Sequence, residues 1–324
     1  MSLRMNRRGL LTRLGLLGAA IGGGWWLRDH VLWSRPTAVF GETVPWEPYA
    51  ARSESPTIRA RVAGREVLAL IDTGAQYSAI DQSLYAAIGS PTGFDVPLVA
   101  YGVGGGPQVG RGVRLDLELP GVRLDGVRTA ILSLGPLAQA EGAGITLILG
   151  RDILSTLVLD IDGAGRRVRL LKPDAAPIPG DLARIPTRTD AAGMRAVVTV
   201  EGAEVEAVVD TGASGLLSLS RATAGQAGLL DGRERRAGAT IVLGGQLPVE
   251  RVEARTVTVG ERLHRRAEIG VYPDVSAPGF PAALLGMGAF SGSRVMIDLA
   301  RNGLHVGPPA MAVRAIPARR QGRV

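Results

Sequence analysis

The tightest constraint on this chain is a tetrapeptide that occurs twice. Asp72-Thr73-Gly74-Ala75 and Asp210-Thr211-Gly212-Ala213 lie 138 residues apart, each closing an apolar run, Val67–Ile71 and Val205–Val209. The match runs upstream without a gap, since Val62, Gly64, Glu66, Val67 and Ala69 fall opposite Val200, Gly202, Glu204, Val205 and Ala207. A single Asp-Thr-Gly is an ordinary turn after a strand, but two copies in register indicate an internal duplication. A carboxylate at the end of a buried strand is costly unless it is hydrogen-bonded or partly neutralised. Thr supplies a hydroxyl, and Gly permits a tight loop that turns backbone N–H groups toward the acid. If the halves pack about a pseudo-twofold axis, the two carboxylates meet, and like charges that close hold one proton between them. Such a pair can activate a water with one member while the other protonates a carbonyl or leaving group.

Composition narrows the alternatives. A chain of 324 residues with 46% apolar content has room for two cored domains, and 45 glycines with short alternating apolar runs favour β structure. The absence of cysteine excludes disulfides, thiolate catalysis and Cys-ligated metals. His30, His264 and His305 are too scattered to form a metal-binding motif, so neither metal nor cofactor is expected. The net charge of +7 sits at the ends: residues 1–37 carry +5 and residues 311–324 carry +4, leaving −2 for the body. No basic stripe remains to track a nucleic acid.

Asp-Thr-Gly-Ala after an apolar strand, present twice, resembles the active-site loops of the aspartic proteases, and Ala after Gly is closer to retropepsins than to pepsins. Leu147–Leu154, with Gly150-Arg151-Asp152, is similar to the segment near the end of a retropepsin subunit, and Ala283–Phe290 is a weaker copy. The resemblance spans residues 58–307. It implies an all-β fold of two homologous retropepsin-like β-barrel lobes related by a pseudo-twofold axis, with short helices after Gly150 and Gly286. It implies an aspartic endopeptidase in which Asp72 and Asp210 are catalytic, Thr73 and Thr211 cross-brace the loops, and Gly74 and Gly212 shape them. The Gly-rich stretch Val99–Gly106 resembles a flap over the substrate, with Tyr101, Gly102, Gly104 and Gly105 as contact candidates and Gly244 and Gly245 as a lesser counterpart. In the family, the Arg of the second motif pairs with an acid just past the aspartate loop. Here that position is Gln76, which leaves Asp152 or Asp81 as partners for Arg151, while the segment at Met287 would be held by packing alone. The substrate would be a peptide or protein bound extended. Ala75 and Ala213 imply few hydrogen bonds to the dyad and a weakly acidic optimum. Both acids lie in one chain, so a monomer suffices. The alternative is a catalytically inactive peptide- or protein-binding scaffold of the cell envelope, since fold alone does not establish function.

In chain order, residues 1–34 place Arg4, Arg7, Arg8 and Arg13 around an apolar stretch ending in Trp25-Trp26-Leu27. This is the layout of an export signal or membrane anchor, and Asn6–Leu11 resembles a twin-arginine signal, implying the periplasm or cell envelope. Residues 35–57, with Pro36, Pro45, Pro48 and Pro56, read as an extended spacer. The first lobe occupies 58–171, a Pro-rich linker 172–193, the second lobe 194–307 and a basic tail 308–324. Val158–Asp162 and Arg167–Leu171 are expected to close the first lobe as a hairpin.

Overall fold

The computed structural model describes residues 36–50, 53–91, 96–100, 108–139, 144–242, 245–275 and 280–309. Each half starts with a β-hairpin whose second strand ends at the repeated loop. Thr57–Val62 pairs antiparallel with Arg65–Ile71, and Gly193–Val200 with Ala203–Asp210. Both turns have two residues at positive φ, Ala63 (47°) with Gly64 (78°) and Glu201 (49°) with Gly202 (94°), the twist that joins strands most tightly. Along Thr57–Val62 the alternation buries Ile58, Ala60 and Val62 while Arg59 and Arg61 face water, as a strand covered on one face requires.

Six strands close each half into a barrel. In the first, the ring runs Thr57–Val62, Arg65–Ile71, Ile145–Leu149, Ser78–Asp81, Val122–Leu132, Gln108–Leu119 and back to the start. In the second it runs Gly193–Val200, Ala203–Asp210, Ala283–Gly286, Leu217–Ser220, Arg262–Tyr272, Gly245–Val259 and back. The strand ending at each aspartate lies parallel to the strand ending at the second motif, Ile71 opposite Leu149 and Val209 opposite Leu285. One contiguous apolar core runs through both halves, from Ile58 and Leu117 to Val257 and Phe290. The short helices after Gly150 (Arg151–Leu154) and Gly286 (a 3-10 turn, Met287–Phe290) are present, so the all-β duplicated fold holds.

A third sheet joins the halves, in the order Ala183–Ile185, Gly303–Val306, Arg294–Asp298, Val158–Asp162, Arg167–Leu171, Glu47–Pro48. The hairpin expected to close the first lobe therefore builds this shared sheet instead, with Val158–Asp162 lying antiparallel to Arg294–Asp298. Part of the stretch read as a spacer is structural: Thr37–Phe40 edges the first barrel and Glu47–Pro48 edges the shared sheet. Within the stretch read as a linker, Ala183–Ile185 takes the mirror place on the other edge. At the middle of the sheet Asp160 is fully buried, held by Arg169 and Arg294 at 2.8 Å. The guanidinium carbons of Arg169 and Arg167 stand 4.4 and 4.8 Å from the centre of the Trp46 ring. Among the described residues no helix is long and apolar enough to cross a membrane. The segment 1–34, read as an export signal or membrane anchor, and residues 310–324 of the tail lie outside the described residues.

Candidate active site

The two loops meet at the pseudo-twofold axis. Thr73 Oγ donates to the carbonyl of Val209 at 2.7 Å and Thr211 Oγ to that of Ile71 at 2.6 Å. Each hydroxyl also accepts from the backbone of the opposite loop, Thr211 N–H to Thr73 at 3.0 Å and Thr73 N–H to Thr211 at 3.1 Å. Both threonines are fully buried, so four hydrogen bonds shielded from water lock one loop to the other. Within each loop the carboxylate turns back on its own chain: Asp72 Oδ1 accepts from Gly74 and Ala75 at 2.8 and 3.0 Å, and Asp210 Oδ1 from Gly212 and Ala213 at 2.9 and 3.2 Å.

The glycines follow from how near the acids come. A Cβ on Gly74 would lie 2.8 Å from Asp210 Cγ, and one on Gly212 would lie 2.7 Å from Asp72 Cγ. Each glycine is the floor beneath the other half's carboxyl. The second motif repeats the logic, since a Cβ on Gly150 would meet the Tyr77 carbonyl carbon at 2.5 Å and one on Gly286 the Gly215 oxygen at 2.3 Å. Immediately after these glycines, Arg151 N–H donates to the Ala75 carbonyl at 2.9 Å and Met287 N–H to the Ala213 carbonyl at 2.8 Å. The Met287 segment is thus held by backbone bonds as well as by packing.

Arg151 pairs with neither expected acid. Asp152 accepts from the Ser78 N–H and hydroxyl at 2.8 and 2.9 Å. Asp81 caps the helix Gln82–Ala87 and accepts from Leu134 N–H at 2.9 Å. The Arg151 guanidinium instead crosses to the other half and donates to the Ala191 carbonyl at 3.2 Å. Ser55 ties the opposite side, its hydroxyl donating to the Gly212 carbonyl at 2.9 Å. Neither cross-contact has a local signal, because both partners are backbone carbonyls far away in sequence.

Burial pushes both dyad carboxyls above the ordinary carboxylate range. The Ala75 and Gly74 amides and the hydrogen bond shared with Asp210 restrain Asp72. Asp210 is raised further, because after burial it also faces the negative charge of Asp72. Each carboxyl lies against the glycine of the opposite loop, and the pair can hold one proton into weakly acidic water.

The hairpins expected to cover the site are formed. Val96–Ala100 pairs with Gln108–Leu119 and Arg235–Val242 with Gly245–Val259, Gly245 opposing Val242 at the start of its strand. Tyr101, Gly102, Gly104, Gly105 and Gly244 lie outside the described residues.

No curated protein matches the chain. A family model described as aspartyl protease matches it twice, over residues 58–153 and 196–289. Each match contains one aspartate loop and one second motif, and together they cover more than half of the sequence. The chain therefore belongs to the aspartyl protease family.

Proposed function

We propose that the protein is an aspartic endopeptidase that hydrolyses peptide bonds through a water held between Asp72 and Asp210. One carboxylate takes a proton from the water as its oxygen adds to the scissile carbonyl carbon, and the partner carboxylic acid protonates the carbonyl oxygen. Collapse of the tetrahedral diol breaks the C–N bond, the proton passing to the leaving nitrogen, so no covalent intermediate forms. The observation that carries this reading is the interlocked Thr73/Thr211 bonding, which holds two half-buried carboxyls side by side at the end of two strands. A scaffold that only bound peptides would gain nothing from crowding two half-buried acids together.

The substrate would lie extended beneath the hairpins, adding backbone hydrogen bonds as a further strand. With the shared sheet built from both halves of one chain, one copy suffices. Export to the periplasm or envelope by the N-terminal segment belongs to the same reading, supported by Arg7-Arg8 ahead of the apolar stretch.

Cleavage of a peptide library across a pH series by the wild type, Asp72→Asn and Asp210→Asn tests it. Wild-type cleavage is expected to be greatest in weak acid, and each variant is expected to lose on the order of 10³-fold in kcat/KM. The rate falls on the acid side as the ionised carboxyl takes up a proton, and on the alkaline side as the shared proton is lost. Cleavage by both variants at the wild-type rate would remove the dyad from the mechanism, and peptide binding without cleavage by the wild type would leave the scaffold reading.

A further inference from the structure

We infer that Ser55 is a positioning residue for the dyad: its hydroxyl, bonded to the Gly212 carbonyl, holds the Gly212–Ala213 peptide so that the Ala213 N–H stays aimed at the Asp210 carboxyl. Its role in turnover rests on the endopeptidase reading, while the peptide's orientation can be measured without any turnover.

The four amide bonds that steady the two carboxyls are not equal. In the first loop Ala75 N–H reaches Asp72 Oδ1 at 3.0 Å. In the second loop Ala213 N–H is shared, reaching Asp210 Oδ1 at 3.2 Å and the backbone carbonyl of Asp210 at 3.3 Å. This is the longest of the four carboxyl bonds, and a small rotation of the peptide would hand the N–H over to the carbonyl. The oxygen of that same peptide unit is the Gly212 carbonyl, and there the Ser55 hydroxyl donates at 2.9 Å. A donor on the carbonyl fixes the plane of the peptide and polarises its N–H, which strengthens the bond that the N–H makes.

Ser55 is itself braced. It is buried within the stretch read from the sequence as a spacer, where the Ser53 hydroxyl donates to the Ser55 carbonyl at 2.7 Å and Arg166 Nη2 donates to the Ser53 carbonyl at 2.5 Å. The next residue, Pro56, accepts from Ile71 N–H at 3.0 Å, one position before Asp72. The hydroxyl thus comes from a fixed backbone in the first half and acts on the loop of the second.

The repeat supplies a control. At the spacing of 138 residues Ser53 answers to Ala191 and Ser55 to Gly193. Gly193 has no side chain to donate, and a Cβ there would lie 3.3 Å from Arg151 Nη1, whose guanidinium holds the Ala191 carbonyl as Arg166 holds that of Ser53. The loop with the shorter alanine bond receives no hydroxyl from this position, and the loop with the divided one does. Asp72 is the titratable group that faces Asp210, so a change at the uncharged Ser55 reaches Asp210 through this peptide.

The test is NMR of the full chain labelled with nitrogen-15 and, at the aspartate carboxyl carbons, with carbon-13, using Asp72→Asn and Asp210→Asn for assignment. Cleavage of one peptide across a pH series runs beside it. Ser55→Ala is expected to move the Ala213 amide proton upfield, to leave that of Ala75 in place and to raise the Asp210 midpoint by about 0.3 pH units. It is expected to lower kcat about threefold at unchanged KM, with the acid limb of kcat/KM moving up alongside the midpoint. Ser55→Thr, which keeps the hydroxyl, should restore all of these. If Ser55→Ala does not fold, Ser55→Cys keeps the shape with a weaker donor and should move each quantity the same way by less. An Ala213 amide proton and an Asp210 midpoint that stay in place would overturn the assignment. So would a lower KM at unchanged kcat, since the hydroxyl would then be competing with substrate for the Gly212 carbonyl. The expected amide and midpoint shifts in a protein that cleaves no peptide would keep the effect of Ser55 on Asp210 and reject the endopeptidase.

Discussion

The two halves share a backbone and differ in charge. Position by position, Arg151 answers to Met287, Asp152 to Gly288 and Asp160 to Met296, so the first half carries three ionisable side chains where the second has none. The Thr cross-bonds, the amide bonds to each aspartate and the four close-packed glycines are common to both. What must be symmetric is therefore the geometry of the dyad, and what is free to diverge is the field around it. Gly288 shows how steric the exchange is: a Cβ there would lie 2.7 Å from Leu216 N and 2.8 Å from the Gly215 carbonyl carbon. The second half closes backbone on backbone in the place where the first accommodates a carboxyl.

The largest effect is expected at Asp160, which faces its own counterpart Met296 across the central strand pair of the shared sheet. Its two oxygens hold Arg294 and Arg169, one from each half. Replacing it by Met would make the sheet symmetric in side chain and leave two guanidinium groups without their common acceptor. Removing one partner of a buried ion group costs about 3–5 kcal/mol, and denaturant unfolding should read a loss of that order. A variant as stable as wild type would mean that the two halves are held together by packing alone, and that this charge difference carries no energetic weight.

Next comes Asp152. Burial raises its carboxyl to about 7, against the hydrogen bonds from Ser78 that favour the charge, and its outer oxygen has neither a partner nor exposure. The folded state thus prefers the proton more than the unfolded chain does, so the stability it contributes is full below about pH 4 and is lost as pH rises to about 7, by at most about 4 kcal/mol. Asp152→Asn retains an acceptor for Ser78 and cannot ionise, so the difference in stability between variant and wild type should grow in the variant's favour from pH 4 to pH 7. Parallel pH–stability curves would show that Asp152 titrates alike in both states and that the first half is no more sensitive to pH than the second.

How much of this could be read in the sequence depends on whether a residue acts on its neighbours or across the fold. Asp72, Asp210, their threonines and glycines were legible because the requirement is local, a carboxylate turned back on its own loop, and because it is stated twice. Gly150 and Gly286 were legible as motif positions, but the reason for them, a backbone passing within 3 Å, appears only when the loops are in place. The Arg151 contact was misread because Asp152 is adjacent in the chain yet turned toward Ser78, while Ala191 is forty residues away. The edge strands Glu47–Pro48 and Ala183–Ile185 answer to one another in the shared sheet although their side chains have nothing in common. A two- or three-residue edge strand is fixed by its neighbour's unpaired backbone, which leaves no periodic trace. Asp160 lay in plain view in an apolar strand, and only its two arginines, nine and 134 residues away, make it intelligible.

The smallest test concerns the hairpin turns, where the halves use one backbone for different ends. Ala63 and Glu201 occupy the same turn position at φ 47° and 49°, a region that costs a residue with a Cβ about 1 kcal/mol. Ala63 is exposed and offers only its methyl group, so Ala63→Gly should relieve the strain, and after the added freedom of the unfolded chain a gain of about 0.5 kcal/mol remains. Glu201 offsets the same strain with its carboxylate, which accepts from Arg233 at 2.7 and 3.0 Å and from Arg255 N–H at 2.6 Å. Glu201→Gly relieves the turn and forfeits those bonds, so a net loss of about 1 kcal/mol is expected. Opposite signs from the same substitution at equivalent positions would confirm that the duplicated backbone is shared while its side-chain support is not. Gains of equal size at both turns would instead make the Glu201 cluster energetically idle, and the comparison would shrink to the residues around the dyad and the shared sheet.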